Sequence, residues 1–255
     1  MKALLAALLV MLPCLAAAQQ VLEFRHDLAF SAAEVNAMAA RSFGARLRTL
    51  TLAGKLDPDP VLKERLKRIA PRLIRAAIYE RPSAASLQWE IHACTQCDEN
   101  ASAMAGGKLL LSADMVDHLA LNDDELAYLV AHEMAHVLAE HTREFATTAR
   151  YFVDNGLARD YPDIQQELAQ SFSVMVRMRP VYVEQELEAD YIGFVLGAHA
   201  GFAPEAMLSL LAKLRGGSDS VLATHPSDSA RMRQARAMLE SARRLAADAR
   251  ARGLK

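Results

Sequence analysis

Two histidines four residues apart, with a glutamate beside the first, occur in the stretch LVAHEMAHVLAEH, residues 129–141. On an α-helix, positions i and i+4 lie on one face about one turn apart, so His132 and His136 can direct both imidazoles at a single ion. Two nitrogen ligands suit tetrahedral zinc. Glu133 lies one position on and can act as a general base on a water molecule held there. The pattern therefore predicts part of a peptide-hydrolysing zinc site.

The residues around this motif argue against a solvated surface helix. Apolar side chains recur through the segment, at Leu126, Leu129, Val130, Met134, Val137 and Leu138. Buried polar groups need partners, and one metal ion would satisfy both histidines. A catalytic zinc also needs a third protein ligand. The pattern HExxHxxGxxH is excluded, because Ala139 and Thr142 stand where it requires glycine and histidine.

A glutamate from a second helix is the other common third ligand, and VEQELEADYIG, residues 183–193, is the candidate segment. By spacing alone, Glu184, Glu186 and Glu188 all remain open at this point.

Taken together, LVAHEMAHVLAEH and EQELEADYIG resemble the M48 peptidase family, in particular its Oma1-like and bacterial periplasmic quality-control members. In that family the second helix carries E-x-x-x-D, and Glu186 and Asp190 match this spacing. The resemblance implies a mainly α fold with a small β-sheet (α+β), a gluzincin-like metallopeptidase domain. It also implies one zinc ion per chain, with Glu186 as third ligand. Asp190 would orient His132 or His136.

Residues 99–116, ENASAMAGGKLLLSADMV, resemble a strand pattern of the same family. The matching positions beyond Asn100 are Ala101, Ala103, Gly106 and Gly107. An exposed edge there would bind an extended polypeptide through main-chain hydrogen bonds, largely without regard to its sequence. A purely structural hairpin is the alternative.

A fourth segment, THPSDSAR at residues 224–231, resembles the family's T-H-P segment followed by an arginine. The resemblance gives His225 a catalytic role facing the zinc. A role in loop structure alone is the alternative.

Composition and pattern describe the elements that must position these residues. The 255 residues are 52% hydrophobic and 24% charged, typical of a folded protein, and the net charge of −2 gives no electrostatic case for nucleic acid. Helices are predicted over residues 31–53 and 61–80, from Asn122 through the HEMAH motif, from Pro180 to Gly201, and in the last fifty residues. SLQWEIHAC, residues 86–94, alternates as a strand does. Residues 142–180 carry no clear caps.

The first residues predict export. MKALLAALLVMLPCLAAAQQ combines Lys2, a short apolar run and small residues before Gln19, which indicates a signal peptide of residues 1–18. Lipid anchoring at Cys14 is not expected, because Pro13 precedes it. Residues 19–255 are predicted to form a single M48-like domain, with N-terminal helices at about 31–80 and a catalytic core at about 85–240.

Two cysteines remain after the predicted cleavage, Cys94 and Cys97. An exported protein favours a local disulfide between them. A redox-active pair, or zinc held together with His92, are the alternatives.

The sequence thus predicts a secreted, periplasmic zinc endopeptidase that cuts unfolded or misassembled envelope proteins. Envelope proteins or outer-membrane assembly factors would be its partners. One alternative is a non-catalytic or latent zinc protein that binds unfolded chains, and the other is a helical protein without metal. The presence of Glu133 favours the enzyme, because a binding protein needs no base.

Overall fold

The computed structural model describes residues 28–98, 100–214 and 229–252. The predicted signal peptide and His225 lie outside the described residues.

Helices dominate the described residues. The α-helices are α1 (Ala32–Leu52), α2 (Pro60–Glu80), α3 (Ala113–His118), α4 (Asp123–Leu138), α5 (His141–Ala149), α6 (Tyr161–Gln170), α7 (Phe172–His199), α8 (Glu205–Leu214) and α9 (Ser229–Ala251). Short 3-10 helices occupy Pro82–Ser86 and Gly156–Ala158. The strands are β1 (Glu90–Cys94), β2 (Ala101–Met104) and β3 (Lys108–Ser112). The predicted mainly α fold with a small sheet is confirmed.

Short polar side chains begin the helices that frame the site. Ser31 accepts a hydrogen bond from the Glu34 backbone N–H at the start of α1. Asn122 and Glu125 form a reciprocal capping box at the start of α4. Such caps satisfy N–H groups that have no partner within the helix, so the sequence determines where α4 begins.

The sheet has the strand order β1-β3-β2, with β1 parallel and β2 antiparallel to β3. Gly106 and Gly107, with φ of +80° and +90°, form the turn between β2 and β3. Both conformations favour glycine, because a side chain is strained there. Among the described residues β2 pairs only with β3, so its other edge carries no strand, and β2 packs against α4.

Helix α4 is buried on nearly every side, and its closest neighbour is α7. Small residues on α7 permit this approach: a Cβ placed on Gly197 would lie 2.2 Å from the Tyr128 ring. The same ring packs edge-on against Phe194, with centroids 5.6 Å apart. Because the two helices are this close, side chains that α7 directs at α4 can reach the HEMAH motif.

Helix α7 differs from the prediction at its start. It begins at Phe172, capped by Ser171, and runs through Pro180 rather than beginning there. Proline cannot donate a hydrogen bond inside a helix, but the helix continues past this position, as it also does at Pro71 of α2. The unassigned region 142–180 holds α5, α6 and the first turns of α7. These elements share a second buried cluster that includes Phe30, Val35, Ile164 and Met178.

Two further features complete the described part of the chain. Cys94, at the end of β1, is joined to Cys97 in a disulfide, the favoured reading of this pair. His92 instead contacts Asp57, with Nδ1 2.8 Å from Oδ2. No helix in the described ranges is both long and apolar enough to cross a membrane.

Candidate metal centre

The structure brings together His132, His136 and Glu186. The two Nε2 atoms are 3.2 Å apart. Glu186 places Oε2 3.5 Å from His132 Nε2 and Oε1 3.3 Å from His136 Nε2. Among the described residues, this is the one group of three or more His, Cys, Asp or Glu side chains with ligand atoms close enough to share an ion.

These three side chains fit zinc. Zinc bonds of about 2.0–2.1 Å in a tetrahedral site place neighbouring ligand atoms about 3.3 Å apart. The two histidine nitrogens are 3.2 Å apart, and Glu186 places Oε1 3.3 Å from His136 and Oε2 3.5 Å from His132, all close to that spacing. Two imidazole nitrogens and one carboxylate are also a donor set that zinc prefers in catalytic sites. The residues present therefore fit the metal that their types predict.

His132 is oriented from behind by Asp190. The Nδ1 atom of His132 donates to Asp190 Oδ1 at 2.9 Å, which leaves Nε2 directed at the ligand cluster. Burial lowers the pKa of His132, and this effect is larger than the rise that the negative charges of Glu186 and Asp190 cause. His132 is therefore favoured as a neutral imidazole, the form that binds metal.

Arg231, near the start of α9, binds both carboxylates of this group. Its Nε donates to Asp190 Oδ2 at 2.6 Å and its Nη2 donates to Oδ1 at 2.7 Å. Its Nη1 lies 3.0 Å from Glu186 Oε2. Burial opposes ionisation of Asp190, but the hydrogen bonds from Arg231 and His132 outweigh it and lower the Asp190 pKa. Arg231 thus helps to keep Asp190 charged and holds both buried carboxylates in place.

His136 has a different supporting group. Its Nδ1 lies 2.8 Å from Nδ1 of His141, and His141 Nε2 lies 3.4 Å from Glu188 Oε2. If His136 binds an ion through Nε2, its Nδ1 carries the proton and donates to His141. His141 then donates from Nε2 toward Glu188. The backbone carbonyl of His141 accepts from Gln185 Nε2 at 3.2 Å, which holds the start of α5 against α7.

Glu133 lies within the same buried region, with 1% of its surface exposed. Burial lowers the pKa of Arg231, but the Asp190 hydrogen bond raises it more, and Glu186 and Glu133 add to that rise. The Glu133 carboxylate is therefore close enough to Arg231 for the two charges to interact.

The structure separates the three candidate glutamates that spacing left open. Glu186 is buried in the cluster, whereas Glu184 and Glu188 are exposed. Ala101 and Ala103 lie on β2, and Gly106 and Gly107 form the turn that follows it.

The sequence patterns assigned no role to Arg231 or to His141. His141 is buried, at 3% exposed, and contacts a candidate ligand. The signal for Arg231 was a basic residue after the T-H-P segment, but its partner Asp190 lies 41 residues earlier in the chain.

Comparison with known proteins agrees with this geometry. The sequence model of peptidase family M48 matches residues 60–239. The mitochondrial metalloendopeptidase OMA1 of Saccharomyces cerevisiae is 30% identical over 198 residues, which cover 69% of this chain and 56% of that protein. OMA1 of Schizosaccharomyces pombe is 30% identical over 155 residues (58% and 46%), and OMA1 of Arabidopsis thaliana is 30% identical over 145 residues (55% and 30%). The chain thus spans about half or less of these relatives' lengths.

These relatives correct one prediction. All three are named as mitochondrial proteins, which contradicts the predicted periplasmic location. The residues that suggested a signal peptide lie outside the described residues, so the signal peptide itself stays a prediction. The periplasmic assignment is therefore wrong, whereas the envelope substrates and outer-membrane partners stay predictions.

Proposed function

The chain belongs to peptidase family M48, and on that basis we propose that it is a zinc-dependent endopeptidase acting on extended or unfolded polypeptides. The observation that carries the proposal is the cluster of His132, His136 and Glu186, of which His132 and Glu186 are buried, with Glu133 one residue from the first histidine. The printed names of its relatives, all metalloendopeptidases, support the same reaction.

In this proposal His132, His136 and Glu186 hold one zinc ion. When bound, zinc supplies Lewis-acid polarisation of the scissile carbonyl and makes water more acidic. Asp190 fixes the tautomer of His132, and His141 does the same for His136. Arg231 balances the charge of Glu186 and Asp190, so that neither carboxylate needs to take up a proton.

Glu133 is the general base. Its carboxylate takes a proton from the attacking water and then delivers it to the departing amine. A buried carboxylate suits both steps, because it is shielded from bulk solvent and held on a rigid helix. His225, outside the described residues, remains a predicted contributor.

Substrate would bind along the edge of β2. That edge carries no strand among the described residues, and β2 packs on the helix that bears the HEMAH motif. An extended peptide paired with Ala101 and Ala103 would therefore lie close to the ligand cluster, with its affinity coming from main-chain hydrogen bonds.

The test compares zinc-loaded wild type with Glu133→Gln on an unfolded protein, with new termini identified by mass spectrometry. Cleavage by the wild type alone, with activity in the variant reduced at least about 100-fold, would support the assignment. Equal zinc binding by both proteins serves as the control. Binding of the unfolded protein without cleavage by either would instead favour a zinc-bound binder of unfolded chains. Fragments from both would exclude Glu133 as the base.

A further inference from the structure

A cavity of about 200 Å³ opens beside the candidate metal centre. His136, Val137 and Leu138 at the end of α4 form one wall, and Ala105 and Gly106 of the β2–β3 turn form another. The cavity therefore lies where the proposed peptide-binding edge meets a proposed zinc ligand. Its size suits one amino-acid side chain rather than a larger ligand.

A peptide paired with β2 would direct a side chain toward this cavity. Successive side chains of an extended strand point to opposite faces. The side chain of a substrate residue next to the cut bond therefore points either to solvent or toward the side of the cavity that α4 and α1 form. Gly106, which has no side chain, lies on the rim, and Asn36 of α1 lies opposite it, 3.4 Å from where a Cβ would be.

The charged residues that line the cavity are Arg81, Glu140 and Arg143. Arg143 Nη1 donates to Glu140 Oε2, and Arg81 Nη2 lies 3.5 Å from Glu140 Oε1. Two guanidinium groups thus share one carboxylate, which leaves one net positive charge on the lining. The first turns of α1 and α5, at Ala32 and Thr142, add the positive ends of two helices.

Both guanidinium groups are held in place by backbone contacts. Arg143 donates to the Phe30 carbonyl from Nε at 2.9 Å and from Nη2 at 2.7 Å. Arg81 donates to the Leu138 carbonyl and, from Nε, to Ser83 Oγ at 3.1 Å. Charges fixed in this way do not have to be ordered when a ligand binds, which favours affinity.

We propose that this cavity is a substrate subsite that accepts an acidic side chain, Asp or Glu, next to the cleaved bond. The inference rests on the proposed peptidase function, because it places an extended substrate on β2. The carboxylate of Glu140, already shared by both arginines, shows the kind of group that these two residues hold.

The experiment uses the full chain loaded with zinc and a set of neutral peptides in which one Glu is moved along the sequence. Each peptide has a twin with Gln and a twin with Lys at the same position. Binding to Glu133→Gln is measured by fluorescence anisotropy, and cleavage by the wild type is measured by mass spectrometry. At one position the Glu peptide should bind and be cut about fivefold better than its Gln twin, and the Lys twin should be the poorest.

Thr142 offers a way to change the charge of the cavity without touching the catalytic residues. Thr142→Glu should abolish the preference for Glu, and Thr142→Lys should increase it about twofold or more. Thr49→Glu, at an exposed position on α1 outside the cavity, is the matched control and should leave the preference unchanged. Equal responses of the Thr142 and Thr49 variants would exclude the cavity as the source of the preference.

The outcomes separate the subsite from the peptidase function. Cleavage without any difference among the Glu, Gln and Lys peptides would overturn the subsite and leave the enzyme standing. Binding that favours Glu and responds to Thr142, with no cleavage by the wild type, would support the subsite while the peptidase proposal fails. Tighter binding of the Lys peptides, or no binding of any peptide, would also overturn the subsite.

Discussion

Gly193 of α7 lies directly against the backbone of His132 in α4. A Cβ built on this glycine would be 2.9 Å from the backbone nitrogen of His132 and 3.0 Å from the His132 Cα. Backbone atoms within a buried helix cannot move aside cheaply. The absence of a side chain at Gly193 therefore sets how near Glu186 and Asp190, on the same helix, come to the histidine.

Gly193→Ala should push the two helices apart. We expect a loss of about 1–3 kcal/mol of unfolding free energy, the range for overpacked cores, together with weaker zinc binding. Urea denaturation and a competitive zinc titration would measure both. Gly44→Ala is the control, because its added Cβ would meet only the end of the Arg48 side chain at 3.5 Å. That change should stabilise α1 by up to about 1 kcal/mol, and a similar response at both glycines would contradict the close-packing argument.

Arg231→Met should be strongly destabilising. It leaves Asp190 and Glu186 buried without the guanidinium that binds them, a loss that typically costs about 3–5 kcal/mol. Arg231→Lys should fall between wild type and Arg231→Met, because an ammonium group cannot donate two parallel bonds to Asp190.

A double-mutant cycle with Asp190→Asn would separate the pair from its surroundings. Removing both charges should cost less than the sum of the two single changes, when unfolding is followed by circular dichroism in urea. Strict additivity would mean that the two side chains do not interact in solution.

The acidic cap of α4 should make stability depend on pH. Glu125 is 2% exposed and accepts from Ser209 Oγ, from Lys213 Nζ at 2.7 Å and from the Asn122 N–H at 2.9 Å. Burial would raise the pKa of Glu125, but these donors outweigh it and lower it. Because the pKa is lower in the folded state, the stabilisation is present at neutral pH and is lost as the pH falls below about 4.3 and through the folded-state value.

Glu125→Gln keeps the side-chain shape but removes this charge. At pH 7 it should lower the unfolding free energy by about 1–2 kcal/mol, and the difference from wild type should shrink as the pH falls below about 4. Denaturation at several pH values would test this. Glu64→Gln, on the exposed face of α2, should have no measurable effect. A difference at Glu125 that grows in acid would refute the sign of the shift.

Removing zinc should lower thermal stability. A ligand present at about 1,000 times its dissociation constant stabilises a protein by about 4 kcal/mol, which here corresponds to a Tm change on the order of 10 °C. Calorimetry with and without a chelator would show it. Glu133→Gln should keep the shift, because all three ligands remain, whereas His132→Ala should lose it. A chelator that leaves the wild-type Tm unchanged would argue against a bound metal.

Local sequence was informative where the decisive interactions are short in range. Asn122 and Glu125 are three residues apart, and they mark the start of the helix that carries His132 and His136. Gly106 and Gly107 mark the turn between β2 and β3 by their backbone conformation. The helix start predicted at Pro180 was wrong, because the preference of proline for a first helical turn is only local. The helix begins earlier, after the cap Ser171, and tertiary packing carries it through Pro180.

The support behind the ligands could not be predicted in the same way. Arg231 and Asp190 are 41 residues apart, and no local pattern indicates that α9 and α7 pack together at this point. The contact between His141 and His136 depends on the left-handed backbone of Glu140, with φ of +56°, which turns α5 back toward α4. The cavity beside His136 likewise combines residues from α1, α4, α5 and the β2–β3 turn.

The sequence by itself indicated His132 and His136 as candidate ligands, Glu133 as the proposed base, and the helix that carries them, because a spacing of four residues on a helix is a local property. The match to the family pattern E-x-x-x-D predicted Glu186, but spacing alone left Glu184 and Glu188 open, and the tertiary structure shows that Glu186 is the one that faces the histidines. That choice depends on which face of α7 packs against α4. The side of α7 that carries Gly193 is the one that packs against α4. Such packing between segments distant in the chain is a property of the folded protein and not of either segment alone.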